Sequence, residues 1–200
     1  MSRGILFVMS GPSGTGKGTI CEKLLENKDN DLFLSVSSTT REIRKGEVDG
    51  VTYNYTTVDN FKAMIDSGEM LEYAMYNGNY YGTPRKAVED MLSTGRNVLL
   101  EIEPQGALKV KELFPEAVLM FIVPPSMKEL KRRLEERGRE SEEQIIERLE
   151  AAKWEFTQSP KYNCIFVNDD LDVCVREVEV TMRDKVIKRD LVDKLLVEKY

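Results

Sequence analysis

Apolar residues along this chain fall into two patterns. Short unbroken runs are the first. "ILFVM" (5–9) shows no alternation, as expected of a strand buried on both faces. "NVLLEI" (97–102), "AVLMFIV" (117–123) and "NCIFV" (163–167) read the same way. Between these runs the apolar spacing changes to three and four. Ile20, Leu24 and Leu25 share one side of a helix predicted from Lys17 to Leu25. Thr83-Pro84 has the form of an N-cap followed by proline at the first helical position. "SMKE" from Ser126, and Ser141 further on, each predict a helix opened by a capping box. Buried strands alternating with helices predict an α/β fold with a parallel sheet and ligands at the strands' carboxyl ends.

Two segments depart from that alternation. Residues 35–83 are rich in Tyr, Ser, Thr and Arg, with turn signals at Asp49-Gly50 and Asn77-Gly78. They predict a small, mostly β insertion with a short helix near 59–67 and a polar binding surface. Residues 125–159 predict a charged helical pair turning at Gly138, where Arg132, Arg133, Arg137, Arg139 and Arg148 are concentrated. A solvated face laced with ion pairs is the ordinary meaning of such a charge run. The tail (170–200) reads as an amphipathic helix, and two uses stay open for it: a cover for the core, or a surface for a homo-oligomer. There is no internal repeat.

Composition narrows the chemistry. The chain has 200 residues, 41% of them hydrophobic and 32% charged, enough for one core domain carrying insertions. A net charge of −6 argues against binding along a nucleic-acid backbone. No stretch reaches the roughly 20 apolar residues of a membrane span. No N-terminal leader pattern is present, since Gly11 and Pro12 interrupt the one apolar run there. Three cysteines without a CxxC fit reduced thiols in the cytoplasm. Histidine is absent, which excludes Ser–His–Asp and Cys–His catalysis and histidine metal sites. Chemistry is left to carboxylates, Lys and Arg, hydroxyls, backbone N–H groups or an oxygen-bound metal.

"GPSGTGKGT" (Gly11, Pro12, Ser13, Gly14, Thr15, Gly16, Lys17, Gly18, Thr19) follows a strand and opens a helix, the context a phosphate-binding loop requires. Its glycines let backbone N–H groups converge on an anion, the helix adds its positive end, and Lys17 supplies a full charge. The motif reads as a nucleoside triphosphate site. Gly18 stands where a metal-holding hydroxyl is usual. By itself it leaves open a weakened GTPase and a kinase whose Mg²⁺ is held mainly by phosphates and water, and Thr19 comes one position late on the helix.

A second cluster completes the picture. Arg41, Arg44 and Tyr53 supply two guanidiniums and a phenol, a fork for a phosphate dianion. Farther on come Glu72, Tyr81 and Thr83. Guanine offers N1–H and an amino group as donors and O6 as acceptor. Glu72 matches the donors, and the hydroxyls of Ser37 and Thr83 match O6; adenine has the opposite polarity.

"SGPSGTGKGT", "SVSSTTR", the "RKGEVDG" turn with its Tyr, "GNYYGT", "QG", "RLEERG" and "VNDDL" occur in one order between about residues 4 and 172. Together they resemble the guanylate kinases. The resemblance implies a P-loop kinase fold: a parallel core of residues 1–34, 84–124 and 160–200, a GMP-binding insertion of 35–83 and a lid region of 125–159. It implies GMP contacts at Ser37, Arg41, Arg44, Tyr53, Glu72, Tyr81 and Thr83, with Glu103 at the guanine amino edge. It implies ATP contacts along Gly11–Thr19 and at Arg133, Arg137 and Asn168. Lys17, Arg41, Arg137 and Arg148 would carry the charge of phosphoryl transfer, with Thr19 or Glu101 helping to hold Mg²⁺. Where relatives read "DID" this chain has "EIE", so Glu101 and Glu103 are each one methylene longer, and Thr83 replaces a Ser.

The implied reaction moves the γ-phosphoryl group of ATP to GMP, and to dGMP, with Mg²⁺, closure of the insertion and lid keeping water out. Two other readings stand beside it: a catalytically inactive interaction module of the same fold, and a kinase for another small phosphate acceptor. "NDDL" matches no guanine-reading GTPase element.

Overall fold

The computed structural model describes residues 3–76, 78–138 and 141–197, and their side chains except those of Tyr76 and residues 189–197. Asn77 of the expected turn and Arg139 of the arginine cluster lie outside the described residues. In chain order the first elements are β1 (Leu6–Ser10), α1 (Lys17–Glu26), β2 (Leu32–Leu34), β3 (Ser38–Thr39), β4 (Asn54–Tyr55), α2 (Val58–Asp66), β5 (Met70–Tyr76) and β6 (Asn79–Pro84). Then come α3 (Arg85–Ser93), β7 (Asn97–Glu101), α4 (Pro104–Leu113), β8 (Val118–Val123), α5 (Met127–Glu136), α6 (Glu142–Gln158), β9 (Cys164–Val167) and α7 (Leu171–Val197).

Alternation along each strand decides which core its side chains enter. In β1, Phe7 and Met9 join one buried cluster with Ile20, Leu24 and Val178 of α1 and α7. Leu6 and Val8 join another with Val88, Ala107 and Val110 of α3 and α4. The sheet is therefore covered on both faces, which is why its strands read as unbroken apolar runs. Truncating a wholly buried side chain such as Phe7 to alanine would cost about 3–5 kcal/mol.

The strand order is β2-β7-β1-β8-β9, all parallel. The register sets Met9 of β1 beside Glu101 of β7, so the loop after β1 and the carboxylate ending β7 emerge together. β2 has no counterpart among the expected strands; three residues give too short a run to register. β9 differs in burial from the expected buried strand. It is the sheet's edge, with Phe166 buried and Ile165 and Val167 about half exposed.

The insertion is a second sheet in the order β4-β3-β6-β5. Here β5 and β6 form an antiparallel hairpin, α2 is capped by Thr57, and Tyr80 stacks on Phe61. Thr83-Pro84 is not the start of a helix. β6 continues through both residues, and α3 begins at Arg85 with Pro84 as its cap. The extended backbone leaves the Thr83 hydroxyl free to serve a carboxylate instead of a helix end.

α5 and α6 pack on each other around Leu130, Leu134, Ile145 and Ala152. The box at Ser141 is complete, with Gln144 reaching back to the Ser141 N–H. At Ser126 half of the expected box forms: the hydroxyl caps the Glu129 N–H, but the Glu129 carboxylate turns to Arg132 and Arg133. Trp154 of α6 is 46% exposed. Asp170 caps α7 by accepting from the Val173 N–H. No helix among the described residues is long and apolar enough to cross a membrane.

Candidate active site

The loop after β1 has the shape of an anion cradle. At Gly11, φ is 143° and a Cβ would run into the carbonyl oxygen of Ile122 on β8. At Gly16, φ is 90°, a left-handed conformation that turns the chain into α1. Asn168, after β9, donates from Nδ2 to the Thr15 carbonyl at 2.8 Å and pins the loop from outside. Arg148 of α6 pins it from within, donating to Ser13 Oγ at 2.6 Å. Lys17 folds back over the loop, and its ammonium donates to the carbonyls of Gly11 and Pro12. The lysine charge is thus held at the mouth of the cradle.

Gly18 is a different case. A Cβ there would lie 3.9 Å from Glu101 Oε2, ordinary contact, so sterics do not require glycine at that position. The space a metal-holding hydroxyl would take opens toward Glu101. Burial pushes the Glu101 carboxyl up, Lys17 opposing and Glu103 adding to the rise. Thr19 lies elsewhere, on the outer groove described next.

Among the described residues, one cavity is lined by the loop itself and another is joined to it through Arg148. The outer groove, about 370 Å³, is lined by Gly14, Gly16, Thr19, Arg133, Glu136, Arg137, Asn168 and Asp169. Arg133 is steadied there by donating to Glu129 at 2.7 Å and to the Asn168 carbonyl at 2.9 Å. The inner cleft, about 1180 Å³, lies between the insertion, the ends of the central strands and α6. It gathers Ser37, Arg41, Arg44, Tyr53, Glu72, Tyr81, Glu101, Glu103 and Arg148. Arg137 and Arg148 therefore face different cavities.

At one end of the inner cleft Glu72 is 5% exposed. Its Oε1 accepts from Thr83 Oγ1 at 2.7 Å, and burial pushes its carboxyl up against the pull of that bond. The Thr83 hydroxyl and backbone N–H both donate to the carboxylate, and the Lys109 charge favours its ionised form.

At the other end Arg41 lies under a cage of rings, its guanidinium carbon 5.4 Å from the Tyr53 centroid and 5.8 Å from that of Tyr55. Tyr53 meets Tyr81 edge to face at 5.9 Å. Burial and the Glu101 charge push the Tyr53 phenol up to about 12, so it stays a neutral donor. Arg41 is already paired: its two terminal nitrogens donate to Glu47 at 2.8 and 3.0 Å. Glu47 also accepts from the Arg44 N–H and from Tyr55 Oη, both at 2.7 Å. Hydrogen bonds from Arg41 hold its carboxyl down to about 2. The sequence reading gave Glu47 and Tyr55 no role. Tyr55 had one signal, since it follows Tyr53 by two positions and so shares its face.

Glu155 is a second carboxylate that sequence reasoning passed over. It follows Gln144, Arg148 and Ala151 along the cleft face of α6, is 6% exposed, and its Oε2 has no hydrogen-bond partner.

The chain as a whole matches known proteins closely. A family model described as guanylate kinase matches residues 3–185. The guanylate kinase of Oceanobacillus iheyensis is 49% identical over 192 residues, covering 96% of this chain and 93% of the relative. That of Caldanaerobacter subterraneus is 52% identical over 176 residues, covering 88% and 85%. The crystal structure of guanylate kinase from Anaplasma phagocytophilum superposes with a TM-score of 0.79 at 33% identity, covering 100% of this chain and 98% of that one. Sequence and fold agree along nearly the whole length: the chain belongs to the guanylate kinase family.

Proposed function

We infer that the chain transfers the γ-phosphoryl group of ATP to GMP, giving ADP and GDP. The observation that carries this is the inner cleft, where a buried carboxylate with its hydroxyl partner, a ring-caged arginine (Arg41) and Arg44 face one space. Glu72, with Ser37 and Thr83, suits the guanine edge. Arg41, Arg44, Tyr53 and Tyr81 suit the acceptor phosphate, and Glu103 adds a carboxylate near the base. The outer groove suits ATP, with its phosphates along Gly11–Thr19 and its base toward Asn168. An interaction module would need neither the lysine-bearing cradle nor the arginines of α5 and α6.

The acceptor oxygen belongs to a phosphate already mostly dianionic at neutral pH, with a second pKa of about 6 by analogy with phosphoserine. No general base is required, which fits a chain without histidine. The protein's part is to align the two phosphates and to neutralise the moving group. Lys17 and Arg148 stand beside the loop, and Arg41 holds the acceptor. Arg137, now on the outer groove, reaches the transferred group when the 125–159 segment closes toward the 35–83 insertion. Closure also removes water that would otherwise take the phosphoryl group.

The residues fit a magnesium ion held largely by others. Among the described residues no group of three or more acidic or cysteine side chains is placed to bind a metal. Glu101 does face the space beside Gly18, one oxygen donor for an ion that keeps several waters. Bound there with ATP, Mg²⁺ would neutralise phosphate charge.

An ADP-release assay with ATP and GMP, dGMP, AMP, UMP or no acceptor tests the reading. Turnover should require GMP or dGMP. Glu72→Gln should lower kcat/KM for GMP by about 100-fold or more while leaving the KM for ATP in place. Acceptor-independent ADP release, or unchanged GMP kinetics in that variant, would sink it.

A further inference from the structure

Gly106 lies in the first turn of α4 and lines the inner cleft. Its backbone has no positive φ, so the chain's path does not demand glycine. In such a helical position alanine is favoured over glycine by roughly 1 kcal/mol. The reason for glycine lies on the facing strand. A Cβ at position 106 would come well inside 3.0 Å of Glu72 Oε2 and would stand 3.0 Å from Glu72 Cδ. Its next neighbour is another side-chain atom, Ile102 Cδ1 at 3.4 Å.

Glu72 is thus fixed from two sides. Thr83 donates to Oε1 from the neighbouring strand β6. Oε2 occupies the space that a missing side chain leaves on α4. The helix cannot easily back away to make room. Ala107 and Val110 are wholly buried in one cluster with Leu71, the residue before Glu72. Lys109 Nζ, one turn further along α4, donates to the Tyr73 carbonyl of β5 at 2.6 Å. When a side chain is added at position 106, the part that yields is the flexible end of Glu72.

We propose that Gly106 is a positioning residue for acceptor specificity: its empty Cβ space lets the Glu72 carboxylate stand at the depth where it meets the donors of the base. The inference rests on the assignment of Glu72 to guanine made above. It explains why a helix keeps its least favourable ordinary residue at a place where the backbone would accept any other.

The test sets helix propensity against base recognition. Gly106→Ala, Glu72→Ala and the double variant are compared with the unsubstituted enzyme by steady-state kinetics, varying GMP and ATP separately, and by thermal melting. Gly106→Ala should melt no lower than the parent. Its kcat/KM for GMP should fall by about 10–100-fold, mainly through KM, as when a charged hydrogen bond is lost. Its KM for ATP should stay within about twofold, and in the Glu72→Ala background it should change GMP kinetics by no more than about twofold. Unchanged GMP kinetics in Gly106→Ala, an equal loss in the Glu72→Ala background, or a parallel loss for both nucleotides with a lower melting temperature would each overturn the inference. If Glu72→Ala is costly and Gly106→Ala silent, only the role of Gly106 falls. If Glu72→Ala leaves GMP kinetics untouched, the assignment of Glu72 falls with it.

Discussion

Substituting glutamine for Glu155, in the last turn of α6, should free the fold from one proton. Burial pushes this carboxyl from 4.5 up to about 7, with Glu103 adding to the rise and Lys17 and Arg148 opposing it. The folded chain holds the proton more tightly than the unfolded one. This group's penalty is therefore absent below about pH 4.5 and grows as pH rises through 7. The gap corresponds to at most about 3 kcal/mol at pH 8.5. In a chain of this size each kcal/mol moves Tm by about 2–4 °C. Glu155→Gln should then melt only about 2–3 °C above the parent at pH 5 and about 6–12 °C above it at pH 8.5, as upper bounds. Melting both proteins across pH 5, 6, 7 and 8.5 isolates the effect, because every other titrating group is shared. A Tm difference that stays constant with pH, or a parent that gains on the variant at high pH, would refute the reasoning.

Two further substitutions separate the halves of the site. Lys17→Ala should abolish ADP release while GMP binding, followed by calorimetry, stays measurable; retained transfer would defeat the cradle's assignment. Glu47→Gln breaks the bidentate hold on Arg41 and should raise the KM for GMP by about 10-fold, with the KM for ATP unmoved. An unaltered KM for GMP would show that Arg41 keeps its place without Glu47.

The central sheet was legible because its strands are buried on both faces, and double burial writes itself as unbroken apolar runs. β1, β7 and β8 follow that rule. β2 escaped because three residues leave no run, and β9 was misjudged in burial because an edge strand can still be apolar. Thr83-Pro84 shows a different limit. The pair has the chemistry of a helix start, and local signals favour one, but pairing with β5 keeps the strand going through both residues. Tertiary pairing overrode the local preference, and the hydroxyl went to Glu72.

Within the site, the sequence displayed groups suited to meeting ligands and concealed those that hold them. Arg41, Arg44, Glu72 and Lys17 announce themselves by residue type, since few functions other than anion or base recognition gather such groups in so small a span. Their supports carry no such signature. Glu47 reads as one more surface acid, Glu155 as part of a charged helix, and Gly106 as a turn residue. Each acquires meaning only through a neighbour brought near by folding, 34 positions away in the case of Gly106 and Glu72. The same holds at Gly18. Beside the lysine it reads as a lost metal ligand, but the fold sets Glu101 across from it on the neighbouring strand. A missing hydroxyl on the helix and a carboxylate on the adjoining strand are then two parts of one arrangement, joined by the register of β1 and β7 and not by anything local to the loop.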